Sequence, residues 1–418
     1  MVLSAFTISS RSDRWTRWVI AIAALLMQLA LGSIYAWSVF LRPVMLQYHS
    51  SEPAANLTFS LVQLVLGITA GFGGYLNSRF GPRLIATVGG ILYGLGVLLA
   101  ALAAPHLLIL YLTYGILGGI GIGLGYIVAL AMLLKWFPDH RGFITGLAVA
   151  GFGGGALITG PLAASLIKWV GLGHTFVWLG LGYLVVIVVV AQCFRTAPEG
   201  YAPAGWTPPT RQQSGPLREY TLTEALRRRR WYVLWLMLAL NVTAGAALIS
   251  VASPLAQQFT NVGVLTAALI VSVIALFNAA GRLFWGWLSD GIGRPSAFLS
   301  MFVLQMIVFA LIPSITSFAL LLVPAAIVGL CAGGGFGTMP AFAADVFGSK
   351  HAGTIYGVML TAWSAGGIVG PLLIASLPYK TALYIIALIM LLSTVLPLLT
   401  RSLVPMRSVV EMGEATVS

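Results

Sequence analysis

The chain reads as long apolar runs broken by short polar ones. Nearly uncharged runs recur near 18–41, 58–78, 84–104, 108–134, 143–167, 174–194, 231–253, 264–288, 295–314, 318–342, 353–376 and 381–400. Each can cross a bilayer as a helix, which takes about 20 residues. In lipid every backbone N–H and C=O must be satisfied inside the protein, so such runs predict helices. The pattern predicts an all-α membrane protein of twelve transmembrane helices. One stretch departs from it. Between Arg195 and Arg230 the chain turns polar and proline-rich and ends in four arginines, Arg227–Arg230. Thr221 and Glu224 have capping-box spacing there, which predicts a short surface helix. The expected division is an N-terminal six-helix bundle over 1–194, a cytoplasmic linker over 195–230, and a C-terminal six-helix bundle with a cytoplasmic tail over 231–418.

Composition strengthens this reading. Hydrophobic residues are 59% of the 418 and charged residues only 8%, too few to cover a water-soluble surface. The net charge of +12 would suit a nucleic-acid binder, but its distribution does not. With both termini cytoplasmic, Arg42, Lys168 and Lys380 fall outside, Arg282 falls within span 8, and every other Lys and Arg falls inside. That bias is the positive-inside rule, so no nucleic-acid partner is expected. The expected place is the cytoplasmic (inner) membrane, multi-pass, with membrane lipid around a functional monomer. Arg227–Arg230 then anchor the start of span 7, specific anionic-lipid binding being the alternative. The first run is too long for a signal-peptide core and reads as a retained helix. Cys193 and Cys331 have no motif spacing and read as packing residues.

The two halves repeat each other. "GYLNSRFGPR" at 74–83, "GIGLGY" at 121–126 and "RGFITGLAVAGFGGG" at 141–155 recur roughly 210 positions later as "GWLSDGIGRP", "CAGGGF" and "AGTIYGVMLTAWSAG". A parallel repeat about an axis along the membrane normal follows.

These residues also carry a resemblance. Twelve spans, a central basic loop, and Gly286, Leu288, Asp290, Gly293 and Arg294 between spans 8 and 9 resemble the major facilitator superfamily. The copy of that motif between spans 2 and 3 is degraded, with Ser78 where the acid usually stands. "GSIYAWSVF", "KWFPDHRG", "YTLTEALRRRRWYVLW" and "GRLFWGWLSDGIGR" are similar to the oxalate:formate antiporter family, close to the monocarboxylate transporters. The resemblance implies two six-helix bundles that alternate access to a central site.

Arg282 is the residue that needs a reason. A charge at mid-membrane costs roughly 2.5–3.5 kcal/mol on insertion scales. Asn278 lies one turn earlier on the same face, and the other half has Ala70 and Leu66 at the corresponding positions. A polar pair present in one half alone points to a ligand in a wet cavity between the halves. The alternative is an arginine that snorkels or bonds backbone carbonyls. All ten acidic residues fall in loops, tails or span ends, so no carboxylate is placed to neutralise it. A guanidinium that stays charged, with no counter-ion, calls for a small carboxylate substrate. The resemblance implies the same, since the family uses an arginine here. The family's oxalate-specific member is expected to carry a second cation in span 11, where this chain has Trp363. One cation favours one carboxylate: lactate, pyruvate, formate or a close relative. Monocarboxylate transporters usually place an Asp where Asn278 stands, and the usual span 1 lysine is also missing. Those departures weaken a copied proton mechanism.

Aromatic residues complete the expected substrate site. The repeat pairs Tyr126 with Phe336 and Phe152 with Trp363, and Tyr35 stands where the family places a ligand-facing tyrosine. Core packing is the plainer account, more so for Phe152 than for the tyrosines, which need a polar partner at depth. The glycine-rich stretches read as close helix contacts. Asp290, Arg294 and Asp345 read as a cytoplasmic gate, Asp290 facing the start of span 5 near Gly142 and Arg294 pairing with Asp345; plain loop folding is the alternative. No Walker motif, catalytic triad or metal cluster is visible, so no enzyme, no metal and no cofactor is expected. The expected activity is proton-linked movement of small monocarboxylates. Oxalate/formate-type exchange and a non-transporting carboxylate sensor are the alternatives.

Overall fold

Each apolar run is a helix in the computed structural model, which describes residues 11–104, 106–139, 141–198, 201, 203, 219–348 and 351–401. Span 1 runs as Arg11–Leu31, a 3-10 turn Gly32–Ala36, and Trp37–Tyr48. Spans 2 and 3 are Glu52–Phe80 and Pro82–Leu99. Span 4 begins at Leu107–Leu110, passes through a π-helical stretch Tyr111–Leu117, and ends with Gly118–Trp136. Span 5 is Arg141–Gly154 and the first part of Ala156–Ala191; span 6 is the remainder of the latter. Spans 7 to 10 are Arg229–Thr260, Val264–Ile292, Arg294–Leu311 and Phe318–Phe347. Span 11 is Ala352–Met359 with Thr361–Ala375, and span 12 is Tyr379–Ser393 with Val395–Arg401.

Among the described residues, 11 helical stretches are long and apolar enough to cross a membrane. One of them, Gly146–Ala191, turns at Gly171, which has φ 80° and ψ 171°. It therefore crosses twice, and the spans number twelve. Several helices outrun their apolar cores. Span 8 continues to Ile292, so Arg282 lies a turn deeper than its apolar run alone suggests.

The repeat has a local physical basis. Gly81 and Gly293, at matching places between spans 2 and 3 and between spans 8 and 9, have φ of 82° and 85°. Side chains rarely adopt that region, so glycine stops the first helix there. The following Pro82 and Pro295 suit the first turn of the next helix. The expected surface helix is present as Leu222–Leu226: Thr221 accepts from the Glu224 N–H, and the Glu224 carboxylate accepts from the Thr221 N–H at 2.9 Å. Of the expected linker, residues 199, 200, 202 and 204–218 lie outside the described residues.

The halves meet along three seams: span 2 against span 11, span 5 against span 8, and the outer part of span 1 against span 7. At the outer ends, polar bonds cross between halves. Arg42 of span 1 donates to Gln257 at 2.8 Å and to the Pro254 carbonyl at 3.4 Å, both in span 7. The Tyr379 hydroxyl of span 12 donates to Glu52 of span 2 at 2.6 Å. At the cytoplasmic ends, the ion pairs found among the described residues stay within one half. Arg17 pairs with Asp139 at 2.8 Å, and Arg294 pairs with Asp290 and, at 3.2 Å, with Asp345.

Candidate functional site

Asn278 and Arg282 sit one turn apart on span 8 and face spans 5 and 10. Glycine makes room for them. A Cβ added to Gly281 would strike the Leu330 carbonyl, and one added to Gly333 or Gly337 would strike the carbonyl of Asn278 or Arg282. Spans 8 and 10 therefore touch backbone to backbone. On the other side, a Cβ at Gly153 would lie 2.5 Å from the Asn278 Oδ1 and 3.1 Å from the Arg282 Nε. The "GFGGG" stretch thus opens space for a side chain of the opposite half, beyond letting helices approach.

Arg282 is 2% exposed. Its Nε donates to Asn278 Oδ1 at 3.2 Å, and its Nη1 donates to the Val149 carbonyl of span 5 at 2.6 Å. Its Nη2 is buried and has no hydrogen-bond partner among the described residues. The rings of Phe336 and Phe152 flank the guanidinium, with centroids 5.1 and 5.8 Å from its carbon. The head group is turned toward the other half, and no carboxylate pairs with it among the described residues. One bond to a backbone carbonyl is present, as the plainer account expects. It leaves a donor edge unused.

The five aromatic residues singled out from the sequence form one connected cluster. Tyr126 lies edge-on to Phe152 at 5.2 Å and to Trp363 at 5.6 Å; Phe152 meets Trp363 at 5.5 Å and Tyr35 at 5.5 Å; Phe336 meets Trp363 at 4.6 Å. Span 1 delivers Tyr35 from its 3-10 turn, where Gly32 rests on the Phe152 carbonyl. The polar neighbour of the Tyr126 hydroxyl is the Arg282 guanidinium, which also acts on Tyr35, although no bond of full hydrogen-bond geometry to Tyr126 forms among the described residues.

Beside the cluster lies a cavity lined by Tyr35, Gln63, Asn278, Phe336 and Trp363, and by an apolar wall from Val242 to Ile249 and Ala332. Only about 10 Å³ is open to the centre of a water molecule, room for about one water. The wet cavity expected from the sequence is narrow in this state.

Gln63 is the residue that sequence reasoning missed. It is 1% exposed, in the middle of span 2. Trp363 Nε1 donates to its Oε1 at 2.8 Å. An indole can only donate, so the bond fixes the amide's orientation and leaves its NH2 group as the free end. That nitrogen has no partner among the described residues. An amide inside an apolar span was the available signal.

The three expected gate residues do come together, but all within the C-terminal half. Arg294 binds Asp345, Asp290, Ser289 and the Gly286 carbonyl. Asp290 is therefore engaged within its own half; the side chains at the start of span 5, around Gly142, lie outside the described ones. Among the described residues no group of His, Cys, Asp and Glu is arranged to hold a metal.

The Gly153 contact makes a direct prediction. Gly153→Ala pushes a methyl into Asn278 and Arg282 without touching either residue type. The expected result is a Michaelis constant raised about three- to tenfold, the size of a small packing clash, in protein that still inserts normally. An unchanged constant would show that the span 5 contact does not set the Arg282 position.

Comparison with known proteins agrees with this geometry. A model of the Major Facilitator Superfamily matches residues 31–371 and again 234–415. The uncharacterized MFS-type transporter YhjX of Escherichia coli (strain K12) is 32% identical, the match covering 84% of this chain and 86% of that protein. The oxalate:formate antiporter of Oxalobacter formigenes is 30% identical over 90% of this chain and 88% of its own. The apicoplast pyruvate carrier 1 of Toxoplasma gondii is 24% identical over 85% and 82%. Among solved structures, a bacterial homolog of the human lysosomal transporter Spinster, inward-facing and occupied, superposes with a TM-score of 0.73 at 15% identity, covering 94% of this chain and 98% of that one.

Proposed function

The chain belongs to the major facilitator superfamily, and from that premise we propose that it is a secondary transporter of small monocarboxylates of the lactate and pyruvate kind. The observation that carries this reading is the Arg282 guanidinium, buried between the halves, whose Nη2 has no hydrogen-bond partner and which has no Asp or Glu side chain paired with it among the described residues. A charged group in that condition is costly until an anion joins it. A carboxylate takes Nη2 and draws Nη1 from the Val149 carbonyl, giving the paired bonds that a guanidinium makes best. The cluster of Tyr35, Tyr126, Phe152, Phe336 and Trp363 and the apolar wall suit a short aliphatic remainder. Among the described residues that line the cavity no second cation stands opposite, and Trp363 is there instead.

The Arg282 to Val149 bond joins the two halves, so its exchange for a substrate bond loosens one seam. That is the step by which binding favours the alternation of access. The anion crosses with a proton, and the pair is electrically neutral. Arginine cannot release that proton at physiological pH; the Tyr126 hydroxyl, buried beside the Arg282 guanidinium, is the group next to the site. The cytoplasmic membrane is the proposed location, and Arg294, Asp290 and Asp345 the proposed cytoplasmic gate. The boundaries 1–194, 195–230 and 231–418 are proposed as the functional division into bundle, linker and bundle.

A second reading, exchange of one organic anion for another, is favoured by the 30% identity to an oxalate:formate antiporter. Reconstituted liposomes separate the two. With no substrate inside, an inward proton gradient is expected to drive labelled lactate above equilibrium. Uptake that ignores the gradient and answers only to preloaded carboxylate would establish exchange instead.

A further inference from the structure

A glutamine in the middle of an apolar span needs a use for both ends of its amide, and Gln63 has one for its oxygen. Its stem and its Oε1 face span 11: a Cβ added to Gly367 would lie 2.5 Å from the Gln63 Cβ and 3.0 Å from its Oε1. The Trp363 indole donates to that oxygen at 2.8 Å. One residue on, Ser364 donates to the Leu64 carbonyl of span 2 at 2.8 Å, and a Cβ at Gly67 would strike the Ser364 hydroxyl. The place and the orientation of the amide are thus fixed across the seam between spans 2 and 11. The amide nitrogen is buried with no hydrogen-bond partner among the described residues, and Gln63 lines the central cavity.

The other polar residues of the lining have different ties. Asn278 and Tyr35 stand at the Arg282 end: Asn278 Oδ1 accepts from the Arg282 Nε at 3.2 Å, and the guanidinium charge acts on Tyr35. Trp363 gives its one side-chain donor to Gln63. The rest of the lining is apolar. The cavity therefore has a carboxylate end at Arg282 and a separate amide donor at Gln63.

We propose that Gln63 reads an oxygen on the substrate's C2 atom, so that the site takes 2-oxo and 2-hydroxy monocarboxylates in preference to acids with only carbon and hydrogen there. This rests on the reading of Arg282 as the carboxylate ligand. With the carboxylate at Arg282, the C2 substituent enters the cavity and its oxygen accepts from the Gln63 Nε2. A keto and a hydroxyl oxygen both accept, so one donor serves both. Propionate brings no such atom and leaves the nitrogen unpaired, which is costly for a buried donor. A site built to hydrogen-bond an oxygen rejects the analogue that lacks it more strongly than an apolar pocket rejects one methylene. Trp363 is the positioning residue: by holding Oε1 it keeps the amide from turning its acceptor toward the substrate.

Dissociation constants of lactate, pyruvate and propionate, measured by calorimetry on the purified protein, test this without requiring transport. Lactate and propionate differ only in the C2 oxygen. In the wild-type protein propionate is expected to bind about tenfold or more weakly than lactate, the size of one buried donor left unmet, with pyruvate near lactate. Gln63→Met keeps the length of the side chain and removes the amide, and the ratio should fall to about twofold or less. Trp363→Phe keeps a ring but not the donor, and the ratio should fall part of the way. The wild-type ratio needs no variant to fold. Equal wild-type constants for lactate and propionate, or a tenfold ratio that survives in Gln63→Met, would overturn the proposal and leave the carboxylate reading of Arg282 standing. Binding of none of the three acids would overturn both.

Discussion

Arg282→Ala is expected to lower monocarboxylate transport by on the order of 100-fold or more, because truncating one partner of a buried charge pair costs roughly 2–5 kcal/mol. Arg282→Lys keeps the charge but presents a point where the planar fork stood, and it should recover only part of the loss. The same change separates function from folding. Arg282 makes two bonds to the protein, to Asn278 and Val149, and leaves Nη2 bare. Removing an underpaired cation from a lipid-depth interior relieves a desolvation cost that offsets those bonds. Thermal stability of the alanine variant should therefore stay near the wild type while uptake collapses. Wild-type affinity in the folded alanine variant would refute the carboxylate assignment; a parallel loss of stability and uptake would make Arg282 a structural residue.

The second large effect concerns selectivity. Trp363→Lys is expected to raise the preference for oxalate over lactate by about 10- to 100-fold, the worth of giving a buried carboxylate a charged partner in place of none. Trp363 lines the cavity and touches Tyr126, Phe152 and Phe336. Its loss also frees the Gln63 Oε1, which an ammonium can occupy as donor. Competition by unlabelled oxalate against labelled lactate gives the ratio directly. If the ratio does not move, the residue at 363 does not meet the substrate.

The fold was legible because lipid imposes one solution on a long apolar run, and because the repeated Gly-Pro turns at 81–82 and 293–295 announce themselves in both halves. The site was partly legible for the opposite reason. Arg282 and Asn278 stand out because the other half lacks them. Paired offsets led to Tyr126, Phe336, Phe152 and Trp363, and the structure brings these together. What stayed hidden depends on distance across the seam. Val149 offers only a carbonyl, which every residue has. Gly153 looks like any helix-packing glycine until Asn278 is found against it. Gln63 acquires meaning only from an indole 300 residues away. Glu52 lay among the acids at span ends, and its partner Tyr379 belongs to the other half. The wet cavity expected from the charge is narrow, because a sequence specifies residues for more than one state and a structure holds one.

The seam at Arg282 is asymmetric although the halves repeat each other. Two identical six-helix halves, associating as a symmetric pair, would bring any arginine to the interface twice. A centre with one cation on one wall, and a glycine and a bare carbonyl on the other, is out of reach for such a pair. It requires two halves of different sequence. The asymmetry of the centre belongs to the difference between the halves, and not to the repeat they share.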